Sequence, residues 1–318
     1  MIAYGPVPSR RLGRSLGINN IPAKSCTYSC TYCQLGRTTD LTVQKRAFYP
    51  PEQILEEVRT QVRGAQSKNE AIDYLTFVPD GEPTLDINLG TSAALVKEFG
   101  IPIAILTNSS LLWDAEVRLR LHEMDLVSLK VDAVTSKLWH RVNRPHGSLD
   151  HERVLDGIRN FCEEYEGRVF TETMLVNTVD YTGEFERIAA FLSGLDIDRA
   201  YIAIPTRPPA EDWVAPAGEE VINRAFQTFA DQLGASHVEY LIGYEGNEFA
   251  STGDPERDLL SITSVHPMRD EGVQELLSRT GSKWSVVQRL IDENKLVELE
   301  YGGTTYYMRA IPSRTAGS

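Results

Sequence analysis

The sequence predicts an α/β protein built on a parallel sheet, and three observations predict it. Short apolar runs alternate with amphipathic helical stretches from about Gly13 to Ile242, the pattern of successive β/α units with right-handed crossovers. Reactive and charged side chains gather just after the strand-like runs, where open sheets and barrels both collect their ligands. No apolar run approaches the ~20 residues of a spanning helix. The start, MIAYGPVPSRRLG, also lacks the apolar core of a signal peptide. The expectation is a cytoplasmic protein with no membrane partner. A length of 318 residues suggests one large and one small domain.

The first strand is expected at Leu16–Asn19 and runs into a cysteine-rich loop. Pro51 then opens a helix, at a position where proline is tolerated, with Ile54, Leu55, Val58 and Val62 on one face. Tyr74–Val78 reads as a strand stopped by Pro79-Asp80-Gly81. A helix with Leu95, Val96 and Phe99 follows, closed by Gly100. Ile103–Leu106 is a strand, Val117–Met124 a helix and Leu126–Val131 a strand. A long helix from about His151 to Tyr165 precedes a strand at Val169–Val176, a helix at Phe185–Leu192 and a strand at Tyr201–Ile204. These make six β/α units, which suit either a doubly wound sheet or an incomplete barrel.

Residues 208–254 read as a connector with one helix around Val221–Phe229. Beyond it come helical segments at Glu271–Ser278 and Ser285–Asn294, then a hairpin of Leu296–Tyr301 and Thr304–Ala310 around Gly302-Gly303. Helix, turn, helix and hairpin is the order of a winged helix. The expected domains are residues 1–245 and a winged-helix-like unit at 255–312.

The net charge of −13 argues against a protein built for nucleic acid. Yet residues 1–46 carry seven basic residues, among them Arg10, Arg11, Arg14 and Lys24, against the single acid Asp40. That surplus suggests a basic mouth facing an anionic substrate or an acidic electron donor such as a flavodoxin or ferredoxin. The tail is nearly balanced, with eight basic residues and nine acids between Glu256 and Arg314. It lacks the cationic excess of a DNA reader, so a peptide or protein is the expected partner, added as a strand at the hairpin edge.

Four cysteines do not make a disulfide scaffold in a chain this long. Cys26, Cys30 and Cys33 crowd into one loop, at separations of four and three. Three converging thiolates can hold three irons of a cubane and leave the fourth open. Structural zinc normally takes a fourth protein ligand. Cys162 shares helical spacing with Val154, Leu155, Ile158, Phe161 and Tyr165, which marks it as a core residue.

The cysteine spacing, with the aromatic Tyr32 before the third cysteine, resembles the signature of the radical S-adenosylmethionine superfamily. The resemblance covers about residues 1–245 and implies a partial (β/α)6 barrel. It also implies a [4Fe-4S] cluster on Cys26, Cys30 and Cys33 whose open iron chelates S-adenosylmethionine. In that superfamily reductive cleavage of the cofactor gives methionine and a 5′-deoxyadenosyl radical, which takes hydrogen from the substrate. Asp80-Gly81-Glu82-Pro83 resembles the family's Gly-Gly-Glu-Pro motif, with Asp80 in place of the first glycine. Gly81, Glu82 and Pro83 are therefore expected at the cofactor, Glu82 on its ammonium. Thr107-Asn108 resembles the family's polar pair after strand three, Lys130 and Asp132 stand where strand four of the family contacts the ribose or carboxylate, and Tyr32 is expected against the adenine. Gly5–Gly13 and Cys33–Thr38 resemble a prokaryotic branch grouped with wyosine synthases. The resemblance names neither the substrate nor a catalytic residue acting on it. Two alternatives to a peptide-modifying enzyme stand open: tRNA base modification, and a regulator that senses iron–sulfur status through its winged helix.

Overall fold

The chain opens on strand β1 (Ala3–Ser9), which pairs antiparallel with β2 (Gly13–Ile18). This computed structural model describes residues 2–242, 249, 253–265 and 267–310. The expected domain limits at 245 and 312 lie outside the described residues. A short pair, β3 (Ser25–Cys26) and β4 (Asp40–Leu41), brackets the cysteine loop. Helix α1 (Pro51–Ser67) buries Ile54, Val58 and Val62 as its spacing demands, with Pro51 at its start.

The alternation then proceeds regularly. It comprises β5 (Tyr74–Phe77), α2 (Leu89–Val96), β6 (Ile103–Thr107), α3 (Ala115–Leu121) and β7 (Leu126–Lys130). Next come α4 (Ser136–Asn143), α5 (His151–Glu164), β8 (Arg168–Met174), α6 (Glu184–Ser193), β9 (Arg199–Ala203), α7 (Glu219–Leu233) and β10 (Val238–Leu241). Local signals fix several ends. Asp114 and Asp150 cap α3 and α5 through their side chains. Gly100, at φ +63°, closes the turn after α2.

The strand order is β1-β2-β5-β6-β7-β8-β9-β10. From β2 onward each strand lies parallel beside its predecessor, with no reversal of order. A doubly wound sheet would reverse, so the architecture is an open half-barrel. All the parallel strands therefore end on one rim.

Several elements depart from the sequence reading, among them β1, α4, β10 and a helix at Pro255–Val265. Strand β1 contains Pro6 and Pro8, residues that argue against a strand except at an edge, and it is an edge. Helix α4 is a short amphipathic insert before α5. Strand β10 lies inside the stretch read as a connector; only its end residues Val238 and Leu241 are buried, which leaves too little apolar pattern to read. Helix α7 packs on α6, with Phe185 and Phe229 edge to face.

The C-terminal segment comprises α8 (Pro255–Val265), β11 (Met268–Arg269), α9 (Asp270–Arg279), α10 (Ser285–Asp292), β12 (Leu296–Tyr301) and β13 (Thr304–Arg309). Its sheet has the order β11-β13-β12. Leu259, Val273, Leu276, Val287 and Leu290 form a core with Tyr4 and Val7 of β1. The segment is thus built directly onto the edge strand of the half-barrel. Among the described residues no helix is long and apolar enough to cross a membrane.

Candidate functional site

The cysteine loop is fastened from two sides. Glu82 N–H donates to the Ser25 carbonyl at 3.1 Å and Thr42 N–H to the Cys26 carbonyl at 3.0 Å. At the end of α4, Ser29 and Thr31 N–H donate to the carbonyls of Asn143 and Val142 at 3.1 and 2.9 Å. Gly81 makes this closeness possible: a Cβ there would stand 1.9 Å from the Ser25 carbonyl oxygen. The glycine of the Asp80–Pro83 turn is therefore dictated by the strand that carries Cys26.

All three thiols line one cavity of about 210 Å³ at the strand ends, together with Tyr32, Gly81, Glu82, Asn108 and Lys130. Each sulfur faces a side-chain N–H donor from a different part of the chain, and Cys26 and Cys30 also meet the Tyr28 backbone N–H and the Tyr32 hydroxyl. Asn108 Nδ2 lies 3.6 Å from Cys26 Sγ, Asn143 Nδ2 3.6 Å from Cys30 Sγ, and Lys24 Nζ 3.8 Å from Cys33 Sγ. Burial pushes the Cys26 thiol far up and the Cys30 thiol up to about 12. Raised in this way, the Cys26 and Cys30 thiols favour their protonated form, so loading a metal on them releases protons. Among the described residues no three His, Cys, Asp or Glu side chains converge on a position for a single ion. A cluster asks for less convergence, because it spreads its thiolates over separate irons. Soft thiolates ringed by N–H donors suit an iron–sulfur group.

Glu82 is buried and held rigidly. Its Oε1 accepts from Thr84 N–H at 3.1 Å, Thr84 Oγ1 at 2.6 Å and Thr107 Oγ1 at 2.6 Å. Its Oε2 accepts from Asn108 N–H at 2.7 Å, and one lone pair of that oxygen is left for a ligand. Burial raises its pKa, while the four donors pull it back toward the ionised form. Asn108 itself is set by its Nδ2, which also donates to Thr27 Oγ1 at 2.7 Å.

Pro83 and Asp132 do not line the cavity. Pro83 starts the helical turn at 83–85 that delivers the Thr84 donors to Glu82. The Asp132 carboxylate is occupied: it accepts from Tyr32 Oη, from Asn143 Nδ2 at 2.6 Å and from Met174 N–H at 2.8 Å. It positions Tyr32 instead of facing the cavity. Lys130 Nζ sits 5.0 Å from the centroid of the Tyr32 ring and pairs with Glu172, which also pairs with Arg11. Burial lowers the Lys130 pKa.

Asn143 and Glu172 had no signal in the sequence, since neither belongs to a motif. Lys24 entered only as one charge in a basic stretch, although it lies two positions from Cys26. A second cavity of about 280 Å³ adjoins the first. It shares Arg11, Tyr32, Cys33, Lys130 and Glu172, and adds Arg10 and Arg207 beside the apolar Leu35, Met174 and Ile204.

Residues 20–192 match the Radical SAM superfamily. The UPF0026 protein MJ1312 of Methanocaldococcus jannaschii is 46% identical over 314 residues, covering 98% of this chain and 97% of that protein. A radical SAM methyltransferase from Sphaerobacter thermophilus has a similar fold, with a TM-score of 0.54 and 17% identity over 71% of this chain and 66% of that one. SuiB of Streptococcus suis, in its S-adenosylmethionine-bound structure, gives 0.51 and 16% over 70% of this chain. The matched part is 49% of SuiB, so this chain spans about half of that protein's length. Both solved structures are likenesses of fold.

Proposed function

This chain belongs to the radical SAM superfamily, and from that premise we propose that it holds one [4Fe-4S] cluster on Cys26, Cys30 and Cys33 and cleaves S-adenosylmethionine there. Membership implies an iron–sulfur cluster and S-adenosylmethionine as cofactors. When bound, they supply a 5′-deoxyadenosyl radical able to take hydrogen from a substrate. One observation carries the assignment. The three thiols share a cavity with Glu82, whose Oε2 accepts a single hydrogen bond among the described residues and so keeps acceptor capacity for a ligand's ammonium.

The residues divide the work. Glu82 receives the ammonium by a charge-assisted hydrogen bond. Asn108, its side chain fixed by Thr27, donates its own backbone N–H to Glu82. Tyr32 lies against the cofactor's base through its backbone or its ring, and Asp132 and Asn143 hold that ring still through its hydroxyl. Gly81 and Pro83 shape the turn.

The substrate carries an anionic group, read by the arginine-lined second cavity, and is a peptide or protein presented to the open rim. In support, the described lining of that cavity includes Arg10, Arg11, Lys130 and Arg207, with Glu172 as the carboxylate among the described lining residues. Also, β12 is an edge strand of the C-terminal sheet, able to pair with an extended peptide. The winged-helix reading of the segment stands on its order of helices and hairpin. An acidic flavodoxin or ferredoxin is the proposed electron donor.

The test is anaerobic reconstitution followed by iron analysis and mass spectrometry of the products. Four irons per chain and 5′-deoxyadenosine with methionine are expected. Iron-loaded protein that leaves S-adenosylmethionine whole under strong reductant would sink the reading.

A further inference from the structure

The three sulfur donors are not equivalent. Asn108 and Asn143 are neutral amides, whereas Lys24 brings a charge. The residue is only 3% exposed, and an ammonium so enclosed needs compensating charge or acceptors. Its partners are the Gly36 carbonyl at 2.6 Å and Cys33 Sγ at 3.8 Å. Among the described residues no carboxylate lies within 4.0 Å of Nζ. The backbone is also committed to this placement. Lys24 has φ +67°, a conformation that favours glycine and strains a lysine. It is held there by its N–H on the Asp80 carbonyl at 2.7 Å and by its carbonyl on Asp40 N–H at 3.0 Å. The long cationic side chain thus ends on a cysteine sulfur at 3.8 Å, with the buried Asp80 carboxyl, beyond 4.0 Å, as a second group that feels its charge.

We propose that the Lys24 ammonium donates to the Cys33 sulfur and raises the reduction potential of the cluster, an inference that rests on the cluster assignment above. The step is a one-electron transfer from an external reductant, dithionite in the test below. The electron enters the cluster, no bond to the protein forms or breaks, and Lys24 keeps its proton. The reduced cluster carries one more negative charge than the oxidised one. A fixed positive charge and an N–H···S bond therefore stabilise the reduced form more, and the potential rises.

The experiment compares the reconstituted wild type with Lys24→Met and Lys24→Arg by EPR-monitored redox titration, after iron and sulfide analysis. Lys24→Met should make reduction at least tenfold less favourable, about 59 mV toward more negative potential for one electron. Lys24→Arg, which keeps the charge, should recover most of that shift. A loaded Lys24→Met protein with the wild-type potential overturns the proposal and leaves the cluster assignment standing. A wild type that holds no cluster overturns both. Should Lys24→Met fail to assemble a cluster, pulsed EPR of reduced wild type labelled with 15N-lysine decides. A 15N coupling that Lys24→Arg removes supports the donor role, and its absence from the wild type overturns it.

Discussion

The two adjoining cavities are built from opposite materials. Around the cysteines the polar groups are short and fixed from several directions; the Glu82 carboxylate alone accepts four hydrogen bonds. Around Arg10 and Arg207 the polar groups are long cations, set against flexible apolar neighbours such as Met174. Between them stands a shared wall of Tyr32, Lys130, Glu172 and Arg11. A cofactor that is the same compound at every turnover is best met by groups that cannot move, because preorganised groups need no rearrangement when charge develops. A substrate side can tolerate adaptable arms. On the proposed assignment the cofactor role rests on rigid local geometry and the substrate role on charge.

The largest expected effect breaks the rigid side outright. Cys26→Ala, Cys30→Ala or Cys33→Ala should each remove the cluster and all 5′-deoxyadenosine formation. Cys162→Ala should keep both, since Cys162 is packed in the core within α5. Iron content and the visible absorption of the reconstituted proteins check this.

Next in size is Glu82→Gln. It keeps the shape of the side chain but loses the charge that would meet an ammonium. Weaker binding of S-adenosylmethionine by roughly 1.5–3 kcal/mol is expected, read by isothermal titration of the loaded protein. Equal affinity would place the ammonium elsewhere and erase the contrast between the cavities.

A third effect concerns the back of the rigid turn. Burial pushes Asp80 up to about 7, with Lys24 and Asn19 pulling the other way. A carboxyl with a raised folded-state pKa binds its proton more tightly when folded. Its contribution is fully present below the unfolded value near 4 and is lost as pH rises through about 7. Wild type should therefore lose stability relative to Asp80→Asn between pH 4 and 7. A Tm gap widening by about 2–4 °C per kcal/mol is expected in thermal melts. A gap independent of pH would mean that Asp80 stays ionised throughout.

The smallest effect probes the adaptable side. Tyr301 Oη donates to the Pro205 carbonyl at 3.1 Å and Tyr306 Oη to the Thr206 carbonyl at 2.9 Å. These bonds tie the C-terminal hairpin to the segment that carries Arg207. Replacing both tyrosines with phenylalanine removes roughly 0.5–1.5 kcal/mol per bond. Substrate modification should fall a few-fold, while cleavage of S-adenosylmethionine without substrate holds steady. If both fall together, the hairpin braces the whole rim and not the arginine cavity.

The sequence by itself determined the alternation of strands and helices, because apolar periodicity is a local property set by which face each residue must bury. It also determined the thiol cluster, since Cys26, Cys30 and Cys33 are neighbours along the chain, and it marked Glu82 and Asn108 as strand-end residues. Only the tertiary structure decided the rest. Strand order is a relation between distant segments, so nothing local distinguishes a half-barrel from a sheet that reverses. Strand β1 was hidden because its prolines are tolerated only at an edge, and being an edge is itself a tertiary fact. The Asp132 carboxylate, at a strand end like Lys130, turned toward Tyr32 and Asn143 because α4 brings Asn143 within 2.6 Å of it. The N–H donors on the three sulfurs come from β3's approach, the β6 rim and the end of α4. Sequence spacing cannot announce such a shell, because hydrogen bonds reach a few ångströms through space and no distance along the chain.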